Sequence, residues 1–186
     1  MPHLTPTSVH ANGVTLRPWG EADLDALIRR INDPAIADFL DLIPQPYTEQ
    51  DAREWFAISA EGWRAGTSAT FAIHAEGVDG AAGGIGVRFL DALEDGGAEI
   101  GYWVGADARG RGLATAATRT IAAWALAEVP SLIRLQLRAD VENTASNRVA
   151  EKAGFTREGV LRAQRFNVRL GRRVDFAMWS LLREEL

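Results

Sequence analysis

The sequence predicts an α/β fold in one domain, with elements in the order β-α-α-β-β-β-α-β-α-β-β. Three observations carry this reading. Apolar residues switch repeatedly along the chain between strict alternation and helical spacing. No internal repeat, low-complexity tract or linker interrupts the succession. With 186 residues, 47% hydrophobic and 24% charged, the chain has the composition of a folded globular protein. A chain of this length buries roughly 70% of the surface that its unfolded form exposes.

Val14, Leu16 and Pro18 alternate with Thr15 and Arg17 as a first strand, and residues 1–13 before it read as an N-terminal extension to a domain spanning 14–186. Leu24, Leu27, Ile28 and Ile31 recur at helical spacing until Asn32-Asp33-Pro34 stops the turn. After a Pro-rich loop from Asp41 to Tyr47, Thr48-Glu49-Gln50-Asp51 resembles a capping box. Ala52, Trp55, Phe56 and Ser59 then form one face of a second helix, which Gly62 weakens. Phe71 and Ile73, then Ile85, Val87 and Phe89, mark two strands of a hairpin around the turn at Gly77 to Gly84.

Behind Glu94-Asp95-Gly96-Gly97 comes a third run, Ala98 to Val104. It carries Ile100, Tyr102 and Val104 on one face and Glu99, Gly101 and Trp103 on the other. A loop from Gly105 to Gly112 leads to a helix from Ala114 to Glu128, ended by Pro130. Ile133, Leu135 and Leu137 make the next strand. Asn143-Thr144 opens a helix that closes on Gly154, a residue suited to a left-handed cap. Strands near Phe155 to Leu161 and Val174 to Leu181 finish the chain.

Composition excludes several functions. The absence of cysteine removes disulfides, thiolate metal sites, iron–sulfur clusters and a cysteine nucleophile. His3, His10 and His74 share no ligand spacing, so no metal is expected. The longest apolar stretch, Ile121 to Val129, includes Glu128 and is far shorter than a membrane span of about 20 residues. The first residues lack the basic start and apolar core of a secretory signal, so a cytoplasmic location is the expectation. A net charge of −5 argues against a general nucleic-acid partner. Lys152 is the single lysine, a coding bias from which no function follows.

The segment that points to chemistry is Arg109-Gly110-Arg111-Gly112-Leu113-Ala114, between a strand end and a helix start. Its glycines allow a tight turn and a close backbone approach. The first N–H groups of the following helix would then converge with the positive end of the helix dipole, an arrangement suited to a phosphate or pyrophosphate. The dipole alone contributes about 0.3–1 kcal/mol. Several N–H bonds, with Arg109 and Arg111, would supply the rest. A plain strand-to-helix turn is the competing reading. Neither G-x-x-x-x-G-K-[ST] nor G-x-G-x-x-G is present.

With these residues the chain resembles the GNAT acyltransferases, and within them the RimJ/RimL-type protein N-terminal acetyltransferases. Arg109-x-x-Gly112-x-Ala114 matches the family's [Q/R]-x-x-G-x-[G/A] pyrophosphate signature for acetyl-CoA. Further matches are Ala98 to Val104, Asn143 to Asn147 with Glu151 to Phe155, and Asp175 to Glu184. Weaker echoes occur at Leu16-Arg17-Pro18, Asn32-Asp33-Pro34 and Pro46-Tyr47-Thr48, so the likeness runs from about Val14 onward.

The resemblance implies a mixed, mostly antiparallel twisted sheet of about seven strands flanked by about four helices. The fourth and fifth strands, carrying Glu99 and Ile133, would splay apart to admit the thioester arm. Acetyl-CoA would be the cosubstrate, without a metal. Its contacts would come from Trp103, Val104, Arg109, Gly110, Arg111, Gly112, Ala114, Thr115 and Asn143, with an oxyanion contact from a backbone N–H near the splay. Glu99 matches the family's general base, acting through water; an ordinary ion pair with an arginine is its alternative.

The tyrosine that many members place before the Glu-Lys of the later motif is replaced here by Ala150. RimJ/RimL-type members share that loss and carry a serine three residues after the asparagine. Ser146 is therefore the candidate proton donor to the leaving thiolate, with helix capping as the alternative for it and for Asn143. Asp175 would help build the substrate wall or pair with Arg172 or Arg173.

The acceptor is expected to be a primary amine. At pH 7 deprotonation costs about 1 kcal/mol for an α-amine and about 4.6 kcal/mol for a lysine, which favours a peptide N-terminus. A polyamine, an aminoglycoside, a free amino acid, a non-catalytic acyl-CoA-binding module and a nucleotide-binding regulator stay open. The six tryptophans are expected mostly in the core, with a homodimer contact for any at the surface. Asp33 to Tyr47 and Ala163 to Arg172, expected around the mouth, carry no readable signature.

Overall fold

A computed structural model describes residues 4–90 and 96–186. Strands β1 (Val9–Ala11), β2 (Val14–Pro18), β3 (Ser68–His74), β4 (Gly83–Phe89), β5 (Gly97–Val104), β6 (Arg134–Asp140), β7 (Thr156–Asn167) and β8 (Arg172–Leu182) form one sheet, in the order β1-β2-β3-β4-β5-β6-β8-β7. Every neighbouring pair is antiparallel except β5–β6. The helices are α1 (Leu24–Ile31), α2 (Pro34–Ala37), α3 (Glu49–Ala65), α4 (Leu113–Glu128) and α5 (Thr144–Lys152).

Two elements exceed the sequence expectation. Part of the segment read as an extension forms β1, which pairs with β2 through a turn at Asn12 (φ 53°) and Gly13 (φ 76°), while Leu4 is buried in the core. Asp33-Pro34, read as a helix stop, also starts the short helix α2: Asp33 accepts from the Ala35 N–H at 2.9 Å and Pro34 takes the first helical position. Glu94 and Asp95, like His3, lie outside the described residues.

Alternation along the strands sorts side chains onto two faces. One face, with Leu16, Phe71, Ile85, Val87, Ile100, Leu135 and Leu137, packs on Ala117, Ile121, Trp124 and Ala125 of α4 and on Ala150 of α5. The other carries Ala72, Gly84, Gly86, Gly101 and Glu99 in register. Its small residues admit α1, whose Ala26 packs with Ala72 and Ala81. A second apolar cluster joins Leu24, Leu27 and Ile31 of α1 to Ile36 of α2, Tyr47, and Ala52 of α3. The expected capping box at Thr48 and Asp51 is present. Gly62 is a packing position rather than a weak point, because a Cβ there would strike the Ser68 side chain.

α4 is the crossover that a parallel neighbour requires, and it carries the chain from the end of β5 to the start of β6. β5 and β6 pair only at Gly97↔Arg134, Ala98↔Leu135 and Glu99↔Gln136. β5 stays on β4 as far as Val104, and β6 stays on β8 as far as Asp140. Beyond Glu99 the strands therefore part, leaving the edges of residues 100–104 and 137–140 facing each other without a ladder. This is the expected splay.

Candidate active site

At the end of β5 the chain makes a short turn, Ala106–Ala108, and enters the glycine-arginine loop. Gly110 (φ 75°) and Gly112 (φ 76°) both adopt left-handed backbone, and Gly112 caps α4. The first helical bond is from the Ala116 N–H to the Gly112 carbonyl at 3.0 Å. Among the described residues, the N–H groups of Gly110, Arg111, Gly112, Leu113, Ala114 and Thr115 have no hydrogen-bond partner. Such a run at a helix start, with left-handed turns in it, is a binding place for an anion such as a pyrophosphate.

The loop is braced from three sides. Arg109 donates to Asp33 at 2.6 Å and to the Val104 carbonyl at 3.1 Å, while Arg111 donates to the Glu76 carbonyl at 2.6 Å. Both guanidinium groups thus tie the loop to its neighbours, and the backbone N–H groups present the anion-facing array. Behind the loop, buried Arg30 grips Asp107 with two bonds of 2.8 and 2.7 Å and donates to the carbonyls of Asp79 and Ala81, both at 2.9 Å. The Arg30 guanidinium holds the Asp107 carboxyl below the usual carboxylate range.

Glu99 stands on the last rung before β5 and β6 part. Its side chain is largely covered; Oε1 accepts from Arg138 and Oε2 from Gln136, each at 2.9 Å, and Arg88 lies 3.9 Å away. Each carboxylate oxygen has a second lone pair for a water molecule or an incoming amine. The ion pair anticipated as the alternative is therefore present, and it leaves hydrogen-bonding capacity on Glu99.

On the opposite face of β5, Tyr102 reaches across the gap to α5, with its hydroxyl 2.8 Å from Ser146 Oγ and 3.2 Å from the Ser146 carbonyl. Burial pushes the Tyr102 phenol up to about 12, outweighing the lowering effect of its hydrogen bond with Ser146. The helix-cap function falls to Asn143, whose Oδ1 accepts from the Ser146 N–H at 3.0 Å. Among the described residues the Asn143 amide NH2 has no partner, so it is available to an acceptor in the gap. Sequence reasoning passed over Tyr102; its even position on β5, opposite to Glu99, was the signal that it lines the other side of the gap.

Trp103 lies on the Glu99 face, stacked with Trp19 at 6.4 Å, and Trp19 stacks with Phe56 of α3 at 6.1 Å. Gly84 is what admits this stack: a Cβ there would stand 2.7 Å from Trp103 and 2.8 Å from Trp19. Trp63, Trp124 and Trp179 are buried, and Trp19, Trp55 and Trp103 are half-buried. The Val104 carbonyl, expected to be open to a ligand, already accepts from Arg109.

The two mouth segments without signature meet each other. Asn167 donates to the Asp38 carbonyl at 2.7 Å, the Val168 N–H donates to Asp41 at 2.8 Å, and Arg165 pairs with the buried Asp41 at 2.6 Å. Asp175 forms neither expected ion pair: it accepts from the Ala163 N–H at 2.7 Å, fixing the irregular backbone of β7 where Ala163 has φ 49°. Arg172 instead pairs with Glu142, and Arg173 donates to the Ala163 carbonyl. Among the described residues no group of three or more His, Cys, Asp or Glu side chains is placed to hold a metal, and no helix is long and apolar enough to cross a membrane.

An anion cradle at a helix start thus lies beside a splayed parallel pair, and comparison with known proteins gives the family. Residues 14–156 match the family model for the acetyltransferase (GNAT) domain, and the chain belongs to that family. It is 28% identical over 178 residues to the uncharacterized N-acetyltransferase p20 of Bacillus licheniformis, covering 96% of this chain and 97% of that protein. The structure of Mycobacterium smegmatis RimJ in complex with a CoA disulfide superposes with a TM-score of 0.82 at 25% identity, over 97% of this chain and 88% of that one. A RimL ribosomal L7/L12 α-N-protein acetyltransferase with coenzyme A gives a TM-score of 0.82 at 19% identity, over 95% and 98% of the two chains. The protein is an acetyl-CoA-dependent N-acetyltransferase.

Proposed function

We propose that the protein acetylates the N-terminal α-amine of a protein or peptide by direct attack on acetyl-CoA, with Glu99 as a water-relayed base and Ser146 as the proton donor to sulfur. One observation carries this reading: β5 and β6 separate immediately after Glu99, with the carboxylate on one face of the sheet and the Tyr102–Ser146 hydroxyl pair on the other. A thioester held in the gap would meet an amine from the Glu99 side and release its sulfur toward α5.

The partnerless N–H groups of Gly110 to Thr115 suit the pyrophosphate of the cosubstrate. The unpaired edge of β5 beyond Glu99, ending at Val104, and the free amide of Asn143 suit its pantetheine arm, while the backbone of Trp103 is laddered to Gly84 of β4, and Arg109 and Arg111 act by bracing the cradle. Acetyl-CoA brings the activated acyl group; the chain's own residues move the proton. Glu99, oriented by Arg138 and Gln136, accepts a proton from the amine through water as nitrogen bonds to the carbonyl carbon. As the C–S bond breaks, Ser146 gives its hydroxyl proton to the departing sulfur. One proton thus passes from nitrogen to sulfur overall, and the products are an N-acetyl amide and free CoA.

A relayed carboxylate suits an α-amine, whose deprotonation costs about 1 kcal/mol at pH 7, better than a lysine at about 4.6 kcal/mol. The sequence resemblance to the RimJ/RimL-type N-terminal acetyltransferases supports the same acceptor class. The test is mass spectrometry after incubation with acetyl-CoA, on one peptide with an internal lysine, prepared with a free and with a blocked N-terminus. Acetylation of the free α-amine alone is expected. Acetylation of the lysine in both forms, or of neither peptide, would overturn the proposed acceptor.

A further inference from the structure

Ser146 is asked to donate a proton, yet a single hydroxyl has one hydrogen and sits 2.8 Å from the hydroxyl of Tyr102. If Ser146 gave its hydrogen to the phenol, it would have none for sulfur. Which way the bond runs therefore decides whether Ser146 functions as a donor. Resting on the role of Ser146 above, we infer that Tyr102 is a positioning residue which donates to Ser146 Oγ, turns the serine hydrogen toward the gap and refills it as the sulfur leaves.

Three features of the site point the bond in this direction. A phenol, even one whose pKa is raised by burial, is a stronger acid than an alkyl hydroxyl, so the phenol is the better donor of the two. Burial against the core keeps Tyr102 protonated, so it has a hydrogen to give. The competing duties of Ser146 are also taken: Asn143 Oδ1 caps the Ser146 N–H, leaving Oγ out of the helix cap. The other acceptor near the phenol, the Ser146 carbonyl at 3.2 Å, is the more distant one.

In the transfer step the C–S bond breaks with its electron pair on sulfur. Sulfur takes the hydrogen of Ser146 Oγ, and Oγ takes the hydrogen of the Tyr102 hydroxyl. Tyr102, which is only partly covered, then recovers a proton from solvent, matching the one that Glu99 passes out from the amine. A phenolate is the transient left behind; without Tyr102 it would be a serine alkoxide, a much stronger base.

The test uses free CoA as the probe and the ultraviolet absorbance of its thiolate as the readout. A donor aimed at sulfur stabilises the thiolate and lowers the apparent pKa of the bound thiol. Tyr102→Phe, which keeps the ring, is expected to raise that pKa by about one unit. It should also lower kcat about tenfold or more, within the range of a positioned proton donor, with the Kd for CoA within about threefold of wild type. Ser146→Ala reads the same bond from its other end, and the double variant should be no slower than the slower single one. Unchanged thiol pKa and kcat in Tyr102→Phe, with Ser146→Ala impaired, would overturn the relay while leaving Ser146 as donor. Multiplying defects in the double variant would also overturn it. Full activity of Ser146→Ala would remove the donor itself and the relay with it.

Discussion

Arg30 couples the stability of the fold to the cosubstrate cradle, and replacing it with methionine separates the packing of its stem from the bonds of its head. The Arg30 side chain is 4% exposed, whereas its partner Asp107 is 59% exposed. Asp107 therefore returns to water cheaply, and losing that pair costs about 0–1 kcal/mol. The Ala81 carbonyl belongs to a fully buried residue and has Arg30 as its hydrogen-bond partner; left dry, it costs about 1–3 kcal/mol. Together with the lost bond to the Asp79 carbonyl, the expected destabilisation is about 2–4 kcal/mol.

For a chain of this length each kcal/mol moves the melting temperature about 2–4 °C, so Arg30→Met should melt roughly 5–15 °C lower. Since Asp107 lies in the turn that leads into the glycine loop, acetyl-CoA must then order that loop on binding. An added cost of about 1.4 kcal/mol would weaken affinity about tenfold. Thermal unfolding and titration calorimetry measure the two effects. A melting temperature within about 2 °C of wild type would refute the assignment of Arg30 as the brace.

Three further outcomes follow from the same geometry. Gly112→Ala places a Cβ in open space, so its effect is purely conformational: about 1–2 kcal/mol of stability and a weaker acetyl-CoA complex, with Gly112→Asn milder, as thermal melts and calorimetry would read. Glu158 is held down to about 2 by Arg134 and Ser180. Because its pKa is lowered on folding, its stabilisation is complete above the ordinary value of 4.5 and is lost as pH falls toward 2. Glu158→Gln should therefore melt below wild type at pH 7, with the difference shrinking below pH 4.5 and lost as pH falls through about 2 in a melting series across pH. Asp41→Ala leaves Arg165 unpaired against the mouth loop and costs about 2–3 kcal/mol, less than a fully buried pair because Arg165 is 34% exposed. Steady-state kinetics should show a raised KM for the amine with an unchanged Kd for acetyl-CoA.

Much of the fold was readable because burial writes itself into periodicity. β2 to β6 and α1, α3, α4 and α5 each bury one face, and their apolar spacing shows it. β7 is mostly exposed at the sheet edge and irregular at Arg157/Gly159 and Leu161/Arg165, so alternation ended at Leu161 while the strand runs to Asn167. β1 was missed although Asn12-Gly13 is a strong two-residue hairpin turn, and α2 because Asp33-Pro34 serves as a start as well as a stop.

The cradle was legible as local chemistry, glycines before a helix. The Tyr102–Ser146 contact joins residues 44 positions apart, and the Asp41–Arg165 pair joins still more distant ones. Such contacts depend on topology, which residue spacing does not encode. The loop arginines were read from their charge and, for Arg109, from the signature; that their side chains also bind neighbouring elements is visible only in the packed structure.

Whether the splay is a reaction site or only a binding cleft is answered in one protein by Glu99→Gln. Glutamine keeps the shape of the side chain and a hydrogen-bonding oxygen but cannot take the proton. Single-turnover transfer to a peptide α-amine and the Kd for acetyl-CoA are measured on the same preparation. An unchanged Kd with transfer slowed at least about tenfold is expected if Glu99 is the base. Transfer at the wild-type rate would contradict that role and remove Glu99 from the mechanism.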